Sequence, residues 1–275
     1  MATHLPVVGG HAEGFGKTLR KDNWWLGPGV TFFVFSTFVV YTTWALWQAK
    51  YYYADPYLSP YYSPPLFIDP SAHGAAPLSH AWIGSWPSWW PSFVPASPAI
   101  WILVFPLSFR MSCYYYRKAY YRSFAASPPG CAVGPLAGKR KYRGETALLL
   151  IQNLHRYALY FALAFIFILA KDAVEGFFRG GKFGIGVGSV ILTINVVLIA
   201  SYTFGCHSFR HLVGGRKDCM SDCGKPTAAL GTWRKATWFN ERHMQFAWLS
   251  LVWVMVTDLY VRLLSMGVLR DFNTW

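Results

Sequence analysis

Imidazole and thiol side chains recur in this chain inside or at the edges of apolar runs, and they are the donors that bind haem iron and iron–sulfur clusters. His155 lies within LLLIQNLHRYALY and Cys113 near the end of the run 98 to 116. Cys206 and His207 close the run 184 to 206 with His211 one turn on, and His243 stands at the start of the run 244 to 264. A lone histidine in such a run is ordinarily satisfied by a hydrogen bond to a neighbouring helix. Here four separate runs each deliver an imidazole or thiol at a similar depth, and polar groups are costly there unless they serve a bundle interior or a cofactor. The pattern favours a metal centre. One ligand per run gives Cys113, His155, Cys206 and His243, the two-cysteine, two-histidine stoichiometry of a Rieske-type [2Fe–2S] cluster, with a b-type haem between facing histidines as the alternative. His207 and His211, at i and i+4 on one helix face, are the alternate ligands and also suit a proton path to a quinone.

Composition sets the elements that must position these groups. Of 275 residues, 54% are apolar and 13% charged, with mean hydropathy +0.25, whereas a soluble chain carries about a quarter of its residues as charge. A spanning helix needs roughly 20 mostly apolar residues, and five segments qualify: 28 to 48, 98 to 116, 147 to 170, 184 to 206 and 244 to 264. The expected fold is all-α, an integral membrane protein whose five transmembrane helices form a bundle, with its termini on opposite sides. Arg117, Lys118, Arg122, Lys139, Arg140, Lys141 and Arg143 fill the loop 117–146; Arg210, Arg216, Lys217, Lys225, Arg234, Lys235 and Arg242 fill the loop 207–243. By the positive-inside rule both loops are cytoplasmic, as is the N-terminal segment 1–27 with Lys17, Arg20 and Lys21, and the tail 267–275 is outside. The balance of 25 Lys+Arg against 12 Asp+Glu then belongs to loops beside an anionic leaflet and not to a nucleic-acid binder. Within the transmembrane domain 28–266 the candidate ligands all fall in the cytoplasmic half. On the outer side histidine occurs only at His73 and His80, in the connection 49–97, so a dihaem wire is not expected.

The tract SFRMSCYYYRKAYYR mixes arginine and tyrosine at the cytoplasmic interface. Snorkelling and aromatic anchoring explain it as readily as a quinone pocket would. For the pocket the candidates are Tyr114, Arg117, Gln152, Arg156 and His211, Gln152 and Arg156 flanking His155 in the third span. The 49–97 connection, with YYYADPYLSPYYSPP and SWPSWWPSF, excludes long helices and central strands. It reads equally as an ordered outer lid or as aromatics at the headgroups. KDNWWLGPG is an interfacial anchor entering the first helix, and Gly184, Gly186 and Gly188 permit close helix approach. Asp258 and Arg262 form an intrahelical pair. Cys131, Cys219 and Cys223 are loop thiols, reduced in a chain without a signal-peptide pattern; CxxxC alone is a weak metal signal. No P-loop, dinucleotide fingerprint or internal repeat is evident.

The strings SFRMSCYYYRKAYYR, NLHRYALY, CHSFRHLVGGRKDC and NERHMQFAWLSLVWVMVTDLYVRLL, across residues 98 to 266, resemble the single-chain membrane anchor of bacterial succinate dehydrogenases and fumarate reductases (respiratory complex II). The resemblance implies partner flavoprotein and iron–sulfur subunits at the cytoplasmic face of the bacterial cytoplasmic (inner) membrane. FAD, further iron–sulfur clusters and the succinate site would lie in those partners, with the basic loops docking the iron–sulfur subunit. Electrons would pass to menaquinone or ubiquinone near the cytoplasmic face, and the resemblance is compatible with a higher oligomer of the whole complex. The chain departs from dihaem anchors in having no histidine in the outer half of any span. Two other readings remain: a proton-coupled secondary transporter, which lacks the broken helices and inverted repeats expected of one, and a cofactor-free structural anchor.

Overall fold

The computed structural model describes residues 14–136, 146–215 and 227–275, with the side chains of 146–149, 151 and 152 excepted. The Gln152 side chain, Cys219, Cys223, and the basic residues Lys139, Arg140, Lys141, Arg143, Arg216, Lys217 and Lys225 lie outside the described residues.

Four helices among the described residues are long and apolar enough to cross a membrane: α1 (Leu26–Gln48), α5 (Thr146–Glu175, with Asn153–Glu175 as the apolar length), α6 (Val187–Phe204) and α9 (His243–Ser265). Polarity is arranged inside out in them. Phe33, Val40 and Phe167 are exposed, while Asn195, Ser250, Thr257, Asp258 and Arg262 are buried, as expected when the solvent is hydrocarbon and polar groups must find partners within the protein.

The run 98 to 116, expected as one span, is instead a chain of short helices: α2 (Pro98–Ile102), α3 (Val104–Met111) and α4 (Tyr114–Ala119), followed by a π-helical turn at Tyr120–Phe124. Pro106 in α3 has no N–H to give the carbonyl one turn back, which accounts for the interruption at Leu103. The second break is at Cys113, whose backbone is extended (φ −69°, ψ 138°). Cys206 repeats it between α6 and α7 (His207–Gly214), with φ −67° and ψ 139°. A further helix, α8 (Ala228–Glu241), leads into α9 through Arg242.

α6 packs between α5 and α9, α3 lies against α5, and α1 lies against α9. One end of this bundle, the cysteine end, carries α4, α7 and α8. The other is closed by the segment 50–97, which forms a cap. Its tyrosines plug the mouth: Tyr52, Tyr57, Tyr61 and Tyr62 are at most 2% exposed. Tyr52 stacks on Tyr62 at 4.3 Å, and Tyr62 Oη donates to the Ala45 carbonyl at 2.6 Å. The only regular pairing in the cap is two short ladders, antiparallel β1 (Tyr53–Ala54) with β2 (Tyr57–Leu58) and parallel β3 (Phe67–Ile68) with β4 (Gly84–Ser85).

Beneath the cap, Asp258 accepts from Tyr41 Oη at 2.6 Å and from Ser59 Oγ, and pairs with Arg262, whose guanidinium donates to the Lys50 carbonyl at 2.8 Å. The i, i+4 pair expected on α9 is therefore a buried clamp between helix and cap. The C-terminal tail locks the same end: Asp271 accepts from Tyr57 Oη and Tyr260 Oη, each at 2.6 Å. The glycines before and at the start of α6 serve this lock. A Cβ on Gly188 would lie 2.5 Å from the Tyr57 ring, and one on Gly184 2.6 Å from the Trp275 indole.

Candidate metal centre

Two breaks of helix geometry and two uninterrupted helices build the site. The extended residue at each break swings a thiol to the start of the following helix. The amides of Tyr115 and Tyr116 approach the Cys113 sulfur, and those of Ser208 and Phe209 approach the Cys206 sulfur. His155, on continuous α5, and His243, the first residue of α9, supply the imidazoles.

Each sulfur meets one histidine. His155 Nε2 is 3.0 Å from Cys206 Sγ, and His243 Nε2 is 3.9 Å from Cys113 Sγ. All four residues are at most 9% exposed. Ser112 Oγ lies 2.8 Å from His155 Nδ1, which fixes that ring and leaves Nε2 toward the sulfur. His243 Nδ1 is buried without a hydrogen-bond partner. Aromatic faces cover both imidazoles: Phe109 stacks on His155 at 4.4 Å and 8°, Tyr202 on His243 at 4.9 Å and 5°.

Among the described residues, no three His, Cys, Asp or Glu converge on a single ion position. A two-iron cluster does not ask for that. Its bridging sulfides complete each iron, so four protein donors spread over two metals suffice. The donor chemistry fits such a group: two thiols, two imidazoles, a dry aromatic surround, and a buried imidazole nitrogen still open.

The alternates are placed elsewhere. His207 and His211 contact each other, Nε2 to Nε2 at 3.1 Å, on the exposed side of α7. Burial, then the neighbouring His211 and Arg210, lowers the basicity of His207. The quinone candidates are not gathered into one pocket. Tyr114 is exposed, as is Arg156, whose guanidinium lies over the Tyr157 ring at 4.9 Å. Arg117 is half-buried, over the Tyr114 ring at 5.5 Å, with its Nε buried and unpartnered. Cys131 is exposed, and its carbonyl accepts from Arg20 at 3.1 Å where the N-terminal segment pairs with residues 130–134.

Sequence reasoning missed Arg110. Its guanidinium enters the bundle core, donating to Tyr116 Oη at 2.6 Å and Ser250 Oγ at 3.2 Å, and lies over the Tyr202 ring at 5.0 Å. It also missed a short repeat. Phe109, Cys113 and Arg117 have the same spacing as Tyr202, Cys206 and Arg210, and both arginines have a buried, unpartnered Nε. That aromatic-x3-Cys-x3-Arg pattern was the available signal for the stacking rings.

The chain matches, over residues 26–267, the family model described as actinobacterial succinate dehydrogenase subunit SdhC. Among solved structures it is similar to a chain of the Mycobacterium smegmatis Sdh1 complex in the apo form, at 37% identity, a TM-score of 0.80 and coverage of 94% of each chain. No curated protein matched.

Proposed function

Because the chain belongs to the actinobacterial family of succinate dehydrogenase SdhC subunits, we propose that Cys113, His155, Cys206 and His243 hold a Rieske-type [2Fe–2S] cluster that links a partner iron–sulfur subunit to quinone. The chain is the membrane subunit of a succinate dehydrogenase complex, a multi-pass protein of the bacterial inner membrane. The succinate site, FAD and further clusters belong to flavoprotein and iron–sulfur partners, which the basic loops dock at the cytoplasmic face. In this reading the cysteine end is cytoplasmic and the cap is outside. The broken α2–α4 stretch completes five crossings with the four long helices.

The observation that carries the proposal is the pairing of each buried thiol with a buried imidazole, at 3.0 and 3.9 Å. Both Nε2 atoms lie beside a thiol, and a mixed set of two thiols and two imidazoles suits a cluster better than an axial haem pair. When bound, the cluster supplies a one-electron carrier. The chain's own residues do the rest. Ser112 orients His155 through Nδ1, and the rings of Phe109 and Tyr202 exclude water and fix the imidazole planes. Arg117, with its unpartnered Nε, offers a hydrogen bond to a quinone carbonyl beside Tyr114, with Gln152, Arg156 and His211 as the further candidates. Menaquinone or ubiquinone is reduced near the cytoplasmic face.

Low-temperature EPR of the dithionite-reduced whole complex tests this. A signal with average g below about 2, lost in His155→Ala while soluble-acceptor succinate oxidation persists, is expected. A reduced b-type haem band in its place refutes the cluster.

A further inference from the structure

Two cavities lie on either side of the cap turn 58–65. The first, about 600 Å3, opens between the cap and the end of α5 and is walled by Tyr53, Asp55, His80, Asp172 and Glu175 among others. The second, about 80 Å3, is inside the bundle; Thr42, Tyr61, Arg110 and Tyr202 line it, with Phe109 and Leu169. Each water needs about 10–15 Å3 of such space and two to four polar partners; the inner cavity has the room, and although its walls are mostly apolar, Thr42, Tyr61, Arg110, Tyr202 and Thr203 give it a polar strip. Tyr61 Oη meets Thr42 Oγ1 at 2.9 Å on its wall. Asn195, 1% exposed, sits one turn along α6 from the lining residue Ile199 with neither amide atom partnered.

Asp172 stands between the two spaces. It walls the large cavity, and Leu169, one turn inward on α5, walls the small one. At 8% exposure its carboxyl accepts from Ser63 Oγ of the dividing turn. It has no cation: the adjacent Lys171 is paired with Glu175 at 2.6 Å. Asp258, the other buried carboxylate at this end, is neutralised by Arg262 and tied to Tyr41 and Ser59. Ionisable groups at membrane depth mark ion pathways, and of these two only Asp172 is free to take and release a proton. From the inner cavity the polar file continues through Arg110 to Tyr116, which lies two residues from Tyr114 and one from Arg117.

We infer that Asp172 loads protons from the cap-side cavity into the inner cavity, so that quinone reduction draws its protons from the outer face. This rests on the orientation and quinone reading given above. Succinate oxidation in the partner subunits releases two electrons and two protons on the cytoplasmic side. Quinone takes up two electrons and two protons to become quinol. If those protons pass Asp172 and the electrons come from the partner side, each turnover carries two positive charges inward.

The test is the whole complex in sealed liposomes with partner subunits facing the medium, a membrane-soluble quinone and a voltage-sensitive dye. Wild-type succinate turnover is expected to make the medium positive and to accelerate when an ionophore collapses the potential. Asp172→Asn should abolish the potential and slow quinone reduction about 100-fold or more, the low end of a proton-transfer contribution. Asp172→Glu should retain both, and succinate oxidation by a soluble acceptor should stay unchanged throughout. Leu169→Trp, which fills the inner cavity from its wall, should reproduce the loss if Asp172→Asn does not assemble. Wild-type complex that reduces quinone without generating a potential overturns the inference, as does Asp172→Asn with wild-type rate and potential; neither touches the metal-site reading. A charge-moving complex without the EPR signal overturns that reading and leaves the proton path standing.

Discussion

Gly205, immediately before Cys206, is where the metal-centre reading is most exposed to a single methyl group. A Cβ built there would lie 2.8 Å from the Phe239 carbonyl oxygen, 3.0 Å from its carbon and 3.1 Å from His243 Nδ1. The carbonyl falls about 0.6 Å short of the 3.4 Å at which ordinary contact begins. It is backbone of the last turn of α8, so it cannot swing aside as a side chain would, and Asn240 Nδ2 to Gly205 O at 2.7 Å ties the same junction. Relief must come from moving the α8–α9 corner, and His243 moves with it. Overpacking of this kind costs about 1–3 kcal/mol, and ligand constellations tolerate roughly 0.5 Å of displacement. At about 1.4 kcal/mol per factor of ten, Gly205→Ala should lower cluster occupancy roughly fivefold to hundredfold. The assay is the double-integrated EPR signal per complex, with soluble-acceptor succinate oxidation as the control for assembly. Gly231→Ala in α8, whose Cβ meets nothing within 4 Å, should be silent. A Gly205→Ala complex with full signal and wild-type quinone rate would refute the placement of His243 beside Cys113.

Ser112→Ala removes the hydrogen bond to His155 Nδ1 and should weaken retention of the metal by about 10- to 100-fold, as loss of a partner behind a ligand does; the rate of signal loss under a chelator measures it, and an unchanged rate counts against the His155 tautomer. Asp258→Asn leaves Arg262, 2% exposed, as an uncompensated charge and should cost about 3–5 kcal/mol of stability. Adding Arg262→Met should recover most of it in thermal unfolding of the complex, whereas equal loss in single and double variants would mean that the pair does not clamp the cap.

The long apolar runs were legible because lipid demands them: length and hydropathy alone mark α1, α5, α6 and α9. The break at Cys113 was not legible, since hydropathy averages over 98 to 116 as though it were uniform. Pro106 signals only the first interruption, and the extended backbone at the cysteine has no compositional mark. The Cys/His set could be picked out because imidazole and thiol are rare in such runs. Arg110 was passed over because, at the end of an apolar run, arginine normally snorkels outward. It turns inward because Tyr116, Ser250 and the Ala247 carbonyl satisfy it there. Arg156 shows the converse. Its position beside His155 suggested a buried pocket, but on a helix adjacent residues point about 100° apart. His155 faces the core, and Arg156 therefore faces out.

The repeated spacing around Cys113 and Cys206 explains why the site is built from two broken helices and not from four straight ones. Each copy supplies a sulfur to one histidine and an aromatic face to the other. Cys113 meets His243 while Phe109, four residues before it, stacks on His155; Cys206 meets His155 while Tyr202 stacks on His243. Neither half can orient its own histidine alone. A straight helix would carry an aromatic and a cysteine four residues apart on the same face, and both would then crowd one imidazole. Turning the backbone extended at the cysteine separates sulfur from ring, and the crossing over of the two copies holds both imidazoles by sulfur at one edge and by an aromatic at the face. The geometry of the four donors thus follows from the two breaks: the one at Cys206 falls at the end of an apolar run, and the one at Cys113 lies inside a run where hydropathy is blind.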